Sequence, residues 1–179
     1  MTDEMKRQVH LSREMDVLDF GCGTELLTLA LQPLVRNVTS VDTSTGMLQV
    51  LKGKLQRQGL TNVRTTLLEP QVPFSMDGRF HLIVSSMALH HVRSLAPLFG
   101  RFHDHLWPGG RVGLADLDRE DGSFHEDPRD VFHHGFDRNE IQALLAAAGF
   151  VELGATTATV VHKETGNYPV FLVTGRSPD

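Results

Sequence analysis

Cysteine is nearly missing from this 179-residue chain: Cys22 is the only one. A disulfide within the chain and a cysteine-based zinc cluster are therefore excluded, and a reducing compartment, the cytoplasm, is expected. Long apolar runs are missing too. None approaches the ~18 to 20 residues that span a bilayer, and segment 1–10 is too polar for the apolar region of a signal peptide. Positive charge is in deficit, with 17 Lys and Arg against 22 Asp and Glu and a net charge of −5. The broad basic surface that grips nucleic acid or anionic membranes is therefore not expected. There is no internal repeat, low-complexity tract or Pro/Gly/Ser-rich linker. Residues 1–179 are expected to form one domain headed by a short segment, 1–14.

What is present is unevenly placed. Between Asp116 and Glu140 stand nine acids (Asp116, Asp118, Glu120, Asp121, Glu126, Asp127, Asp130, Asp137, Glu140) against Arg119, Arg129 and Arg138, so this stretch carries the whole negative balance. Elsewhere short apolar runs alternate with segments of helical period. Runs at 16–20, 38–42, 62–68, 80–85 and 111–116 read as strands. Segments 26–34, 47–58, 95–106 and 139–148 read as helices, the third closed by Pro108-Gly109-Gly110. The tail, 151–161 and 170–174, is β-rich, and the five residues Lys163 to Asn167 leave no room for a helix, so these two strands must be antiparallel. The pattern predicts an α/β fold: a mostly parallel sheet with helices on both faces and one reversed strand. Ligands of such sheets sit at the carboxyl ends of the strands.

The first strand leaves through Asp19-Phe20-Gly21-Cys22-Gly23-Thr24, where two glycines permit a tight turn and a close approach of a ligand to the backbone. The second strand ends in Asp42, an acid placed to take both hydroxyls of a ribose. A dinucleotide fingerprint would need a third glycine at position 26, which is Leu26, and nothing basic follows to hold a pyrophosphate. An acid before the glycines suits a ligand with a positive group there. The motif points away from a nicotinamide dinucleotide and towards a cationic nucleoside.

These residues carry a family resemblance. Val17 to Thr24 resembles the first motif of class I S-adenosylmethionine-dependent methyltransferases, of the small-molecule group. Val41-Asp42-Thr43-Ser44-Thr45-Gly46-Met47-Leu48 resembles the second motif and Phe80 to Val92 the fourth. Leu106-Trp107-Pro108-Gly109-Gly110-Arg111 is similar to the turn before the family's fifth strand. The resemblance covers residues 15 to 175 and implies a Rossmann-like three-layer sandwich with a seven-stranded, mostly parallel sheet and an antiparallel last strand. It implies S-adenosyl-L-methionine as cofactor, S-adenosyl-L-homocysteine as product and a small-molecule methyl acceptor. Asp19, Gly21, Cys22 and Gly23 would line the methionine end, Asp42 and Thr43 the ribose, and Met47 and Glu69 the adenine. Ser85, Ser86 and Met87 would flank the sulfonium. No nucleic-acid or membrane partner is implied, and a homodimer is compatible with such a chain.

Three departures bear on activity. Glu25 stands where the family has a third glycine: a carboxylate in the first helical turn gains ~0.3 to 1 kcal/mol from the helix dipole, yet it adds bulk and like charge beside the methionine carboxylate. Only about 15 residues precede the first strand, so the N-terminal cover of the family is expected to be abbreviated. His81 replaces an Asp at the start of the fourth strand, far from the ligand end. That third change is structurally tolerated, and a non-catalytic homologue acting as an interaction subunit is the alternative that Glu25 and the short N-terminus favour.

The ten histidines form no metal motif; adjacent His-His pairs on a strand point to opposite faces. His103 and His105 are expected at the surface. Methyl transfer needs alignment and, for an O or N acceptor, a base. His90 and His91, just past the fourth strand, are the candidate catalytic residues, and His125, His133 and His134 are expected at the same edge. The acidity of the stretch after the fifth strand would suit a cationic or polar acceptor.

Overall fold

In the computed structural model, which describes residues 2–23, 26–69 and 78–179, seven strands form one sheet in the order β3-β2-β1-β4-β5-β7-β6. The strands are β1 (Asp16–Phe20), β2 (Asn37–Asp42), β3 (Val63–Leu67), β4 (Phe80–Ser86), β5 (Leu106–Leu117), β6 (Val151–Lys163) and β7 (Gly166–Arg176). β1 to β5 pair in parallel, whereas β7 runs antiparallel to both β5 and β6. The seven-stranded sheet with a reversed last strand is as expected. The chain reverses at Glu164-Thr165, a tighter connection than the five residues expected, because β6 and β7 stay paired out to Lys163 and Gly166.

The helices are α1 (Thr2–Gln8), α2 (Leu26–Leu31), α3 (Thr45–Arg57), α4 (Leu95–Asp104) and α5 (Arg138–Ala147). Two aromatic-rich turns of α4 supply Leu95, Leu98, Phe99 and Phe102, which with Ile141 and Leu145 of α5 cover one face of the sheet. On the other face Met5 and Val9 join Leu27 and Leu31 of α2 over Val17, Leu82 and Val84. Leu48, Leu51 and Leu55 of α3 close over Cys22. Burial on both faces explains why β1, β4 and the end of β5 read as near-continuous apolar runs. Phe99 and Phe102 are fully buried, and truncating either to Ala would cost ~3 to 5 kcal/mol.

The chain before β1 holds one short helix among the described residues, α1, and it is seated on the sheet. A Cβ added at Gly113 would stand 2.5 Å from Met5 Sδ, so glycine in mid-β5 makes room for α1. One expected boundary fails. The helix expected to reach Leu106 stops at Asp104, and Leu106 to Gly110 opens β5 instead of forming a turn. The competing force is pairing: Phe80 N–H donates to His105 O at 2.7 Å, and Ser177 N–H donates to Gly110 O at 2.7 Å. Periodicity along the chain is blind to such partners.

Candidate active site

The turn after β1 is built by positive backbone angles: Gly21 has φ +68° and Gly23 φ +53°. Non-glycine residues resist this region. Both Gly21 and Cys22 donate their N–H to Val41 O at 2.9 and 3.0 Å, fixing the turn against β2. An added Cβ at Gly21 would stand 2.3 Å from the Cβ of Ala88, whereas one at Gly23 would meet nothing within 4 Å. Gly21 is thus required by packing. Gly23 faces open space.

Asp42, at the carboxyl end of β2, accepts from Gly23 N–H (2.8 Å) and Ser44 N–H (2.8 Å), one on each oxygen. The next helix begins there, with the Ser44 side chain accepting from Met47 N–H at 3.3 Å. Thr43 is exposed and Met47 is 43% exposed. Glu69, two residues past β3, is exposed. The Cys22 thiol turns into the apolar cluster under α3, and burial pushes it above its ordinary range. Cys22 can therefore offer a ligand only its backbone.

Asp19 is 1% exposed and accepts from the Thr28 hydroxyl at 2.6 Å. Burial pushes its carboxyl up to about 7, partly opposed by the Thr28 bond and reinforced by the nearby Asp42 charge. A group so poised holds a proton reversibly near neutrality, and a cation arriving beside it would expel that proton. At the end of β4, the Ser85 hydroxyl is buried with no partner among the described residues. Ser86 is half-buried, and Met87 takes φ +54° while its N–H donates to Ala115 O at 2.9 Å. A left-handed non-glycine residue costs free energy and commonly marks a functional turn. The Glu25 departure lies outside the described residues, as does Thr24.

Past Met87 a short 3-10 turn, Leu89–His91, brings together residues that a strand would separate. The rings of His90 and His91 lie 4.2 Å apart, and His125 stands 4.8 and 5.9 Å from them. The expectation of opposed faces is corrected by this 3-10 geometry. His90 is 2% exposed, and its Nδ1 lies 2.7 Å from Oδ1 of the fully buried Asp116. His91 is exposed with Nδ1 2.7 Å from Asp130 O. The Nε2 of His125 is buried without a partner among the described residues. Burial, then the neighbouring His90 and His91, holds its imidazole below the usual value. Of the other two, His133 Nε2 binds Val92 O at 2.9 Å, and His134 lies 3.6 Å from Glu120. No described group of His, Cys, Asp or Glu is arranged to hold a metal ion.

Asp116 is the residue that sequence reasoning missed. It appeared only as one acid of the acidic stretch, although its place at the end of an apolar strand, Val112-Gly113-Leu114-Ala115, was a usable signal. The other acids are mostly occupied by this chain's own donors. Asp118 takes a bidentate Arg138 at 2.7 and 2.5 Å, Glu140 takes Arg119 at 2.8 Å, and Asp137 caps α5. Glu120 accepts from Gly122 and Phe124 N–H, Asp121 from Ser123, and Asp127 from Arg129. Much of the acidic stretch thus braces itself. His103 and His105 also depart from expectation: His105 is 8% exposed with Nδ1 2.8 Å from Arg101 O, and His103 packs edge-on against Phe150.

The order of strands, the reversed β7 and a glycine turn facing an acid across two strand ends define a Rossmann-like methyltransferase fold. The sequence matches the family model described as a methyltransferase domain over residues 1–153, and the chain belongs to that family. An uncharacterized methyltransferase of Schizosaccharomyces pombe is 31% identical over 137 residues, 68% of this chain and 48% of that protein. The chain thus spans about half the length of this relative. The structure is similar to a Haemonchus contortus phosphoethanolamine N-methyltransferase solved with S-adenosyl-L-methionine. The TM-score is 0.81 at 15% identity, over 98% of this chain and 51% of that one. It is also similar to an S-adenosylmethionine-dependent methyltransferase from Clostridium acetobutylicum, with a TM-score of 0.75 at 20% identity, over 99% and 91% of the two chains. At such identities the likeness shows the fold. No described helix is long and apolar enough to cross a membrane.

Proposed function

We propose that this chain transfers the methyl group of S-adenosyl-L-methionine to a small-molecule acceptor and releases S-adenosyl-L-homocysteine. The observation that carries this reading is the contact between Gly21 and Ala88. It joins the glycine turn to the segment bearing His90, so in this reading a nucleoside site and a base would stand side by side at the strand ends. The residues fit the cofactor on their chemistry. Gly23 leaves room for a close approach, the half-buried Asp42 keeps lone pairs for two hydroxyls, Asp19 is a buried carboxyl whose proton a cation would displace, and the Ser85 hydroxyl is buried without a partner among the described residues. When bound, the sulfonium supplies an activated methyl group, so the protein need only align the nucleophile and accept its proton.

In this reading Asp42 orients the ribose, the backbone of Gly21 to Gly23 receives the methionine end, and Asp19 faces its positive charge. Thr43, Met47 and Glu69 border the adenine, and Ser85 to Met87 flank the sulfonium. His90 takes the acceptor's proton, while His91 and His125 wall the acceptor side. The H. contortus protein acts, by its name, on a small molecule. The acidic balance of this chain favours that class over nucleic acid. The test is calorimetry with S-adenosyl-L-methionine and S-adenosyl-L-homocysteine, followed by tritiated methyl transfer into a fractionated cell extract. Binding of both nucleosides and label in the small-molecule fraction are expected. Absence of binding overturns the enzyme reading, and label confined to protein or nucleic acid overturns the acceptor class.

A further inference from the structure

Asp116 and His90 form a buried pair that four hydrogen bonds surround among the described residues. Asp116 Oδ2 accepts from the N–H of Leu89 (2.9 Å) and of His90 (3.3 Å). Oδ1 accepts from Leu117 N–H (2.8 Å) and lies 2.7 Å from His90 Nδ1. Three of four contacts are thus backbone donors, which an ionised carboxylate satisfies and a carboxylic acid would partly repel. With Asp116 ionised, the Nδ1 that faces it must carry the proton. The backbone of His90 is fixed as well, its carbonyl accepting from Phe132 and His133 N–H (2.9 and 3.3 Å), and its ring lies against His91 and His125.

We propose that Asp116 is a positioning residue that holds His90 in the Nδ1–H tautomer and leaves Nε2 as the basic nitrogen offered to the acceptor. The inference rests on the methyltransferase reading for its role, although the tautomer itself is independent of it. Asp116 touches neither cofactor nor acceptor; it acts through His90.

Long-range 1H–15N correlation spectra of histidine-labelled protein read the tautomer directly, with and without S-adenosyl-L-homocysteine, His90 being assigned by its loss in His90→Gln. The unaltered protein is expected to show protonated Nδ1 and unprotonated Nε2. In Asp116→Asn the two backbone donors at the Oδ2 position retain the amide oxygen, which turns the NH2 towards His90. The tautomer then inverts to Nε2–H, while affinity for S-adenosyl-L-homocysteine changes less than about threefold, well under one tenfold step of 1.4 kcal/mol. An Nε2–H ring in the unaltered protein overturns the proposal, and so does an Nδ1–H ring retained in Asp116→Asn. If the variant does not fold, the spectrum of the unaltered protein still decides. Failure of that protein to bind S-adenosyl-L-homocysteine overturns the methyltransferase reading instead, and leaves the tautomer result to be read separately.

Discussion

Gly23 N–H donates to Asp42 Oδ2 at 2.8 Å, so the glycine turn after β1 and the acid ending β2 hold each other in place before any ligand arrives. Asp42→Ala removes both this brace and the acceptor of two hydroxyls. Hydrogen bonds to a charged group contribute ~1.5 to 3 kcal/mol each. Losing even one such bond should lower affinity for S-adenosyl-L-homocysteine, measured by calorimetry, by at least about tenfold. An unchanged affinity would refute the ribose role of Asp42.

The two glycines should fail differently. Gly21→Ala places its Cβ 2.3 Å from that of Ala88, in a backbone conformation that alanine resists. A loss of stability of at least ~1 to 3 kcal/mol is expected in urea unfolding, with part of it recovered by adding Ala88→Gly. Gly23→Ala meets open space, so it should cost only ~1 kcal/mol of conformational strain while weakening nucleoside binding. Equal destabilisation by both substitutions would contradict the distinction.

Stability near neutral pH should depend on Asp19. Its folded carboxyl stands at about 7 against an ordinary value of 3.8, so the folded state binds the extra proton between those limits. The contribution of this group is therefore favourable at low pH, declines as pH rises above 3.8, and is lost by pH 7. Asp19→Asn, which keeps an acceptor for Thr28, should be the more stable protein at pH 8 by up to a few kcal/mol, because each tenfold rise in proton affinity corresponds to about 1.4 kcal/mol. The two proteins should converge near pH 4. Denaturant midpoints at pH 4, 6 and 8 check this; a constant offset would contradict it.

A fourth expectation concerns Glu25. Glu25→Gly should bind S-adenosyl-L-methionine at least as tightly as the unaltered chain, because it restores the glycine that the family resemblance implies at this position. Equal, tight binding by both proteins would show that the carboxylate costs nothing.

The strands and most helices were legible because burial on both faces writes continuous apolar runs into the sequence, and Asp42 was legible because it ends such a run. What stayed hidden depended on partners distant in the chain. The opening of β5 at Leu106 is set by His105 pairing with Phe80 and by Gly110 pairing with Ser177. His90 and His91 stack side by side because of a 3-10 turn, and Asp116 is their neighbour only through the β4–β5 register that puts Ser86 opposite Ala115. The charge excess was visible as composition, but its use, with Arg138 on Asp118 and Arg119 on Glu140, appears only in three dimensions.

The insertion of β7 between β5 and β6 has a consequence for synthesis. Asp116 pairs with Phe171, and Asp118 N–H donates to Pro169 O at 2.9 Å, so the strand carrying the buried acid is flanked by residues made some fifty positions later. A growing chain that has emerged only through α5 leaves that edge of β5 open. The acid behind the histidine cluster thus gains its second strand neighbour only when the last hairpin folds back into the gap. Ribosome-bound intermediates halted before Gly166 should accordingly expose β5 to chaperones.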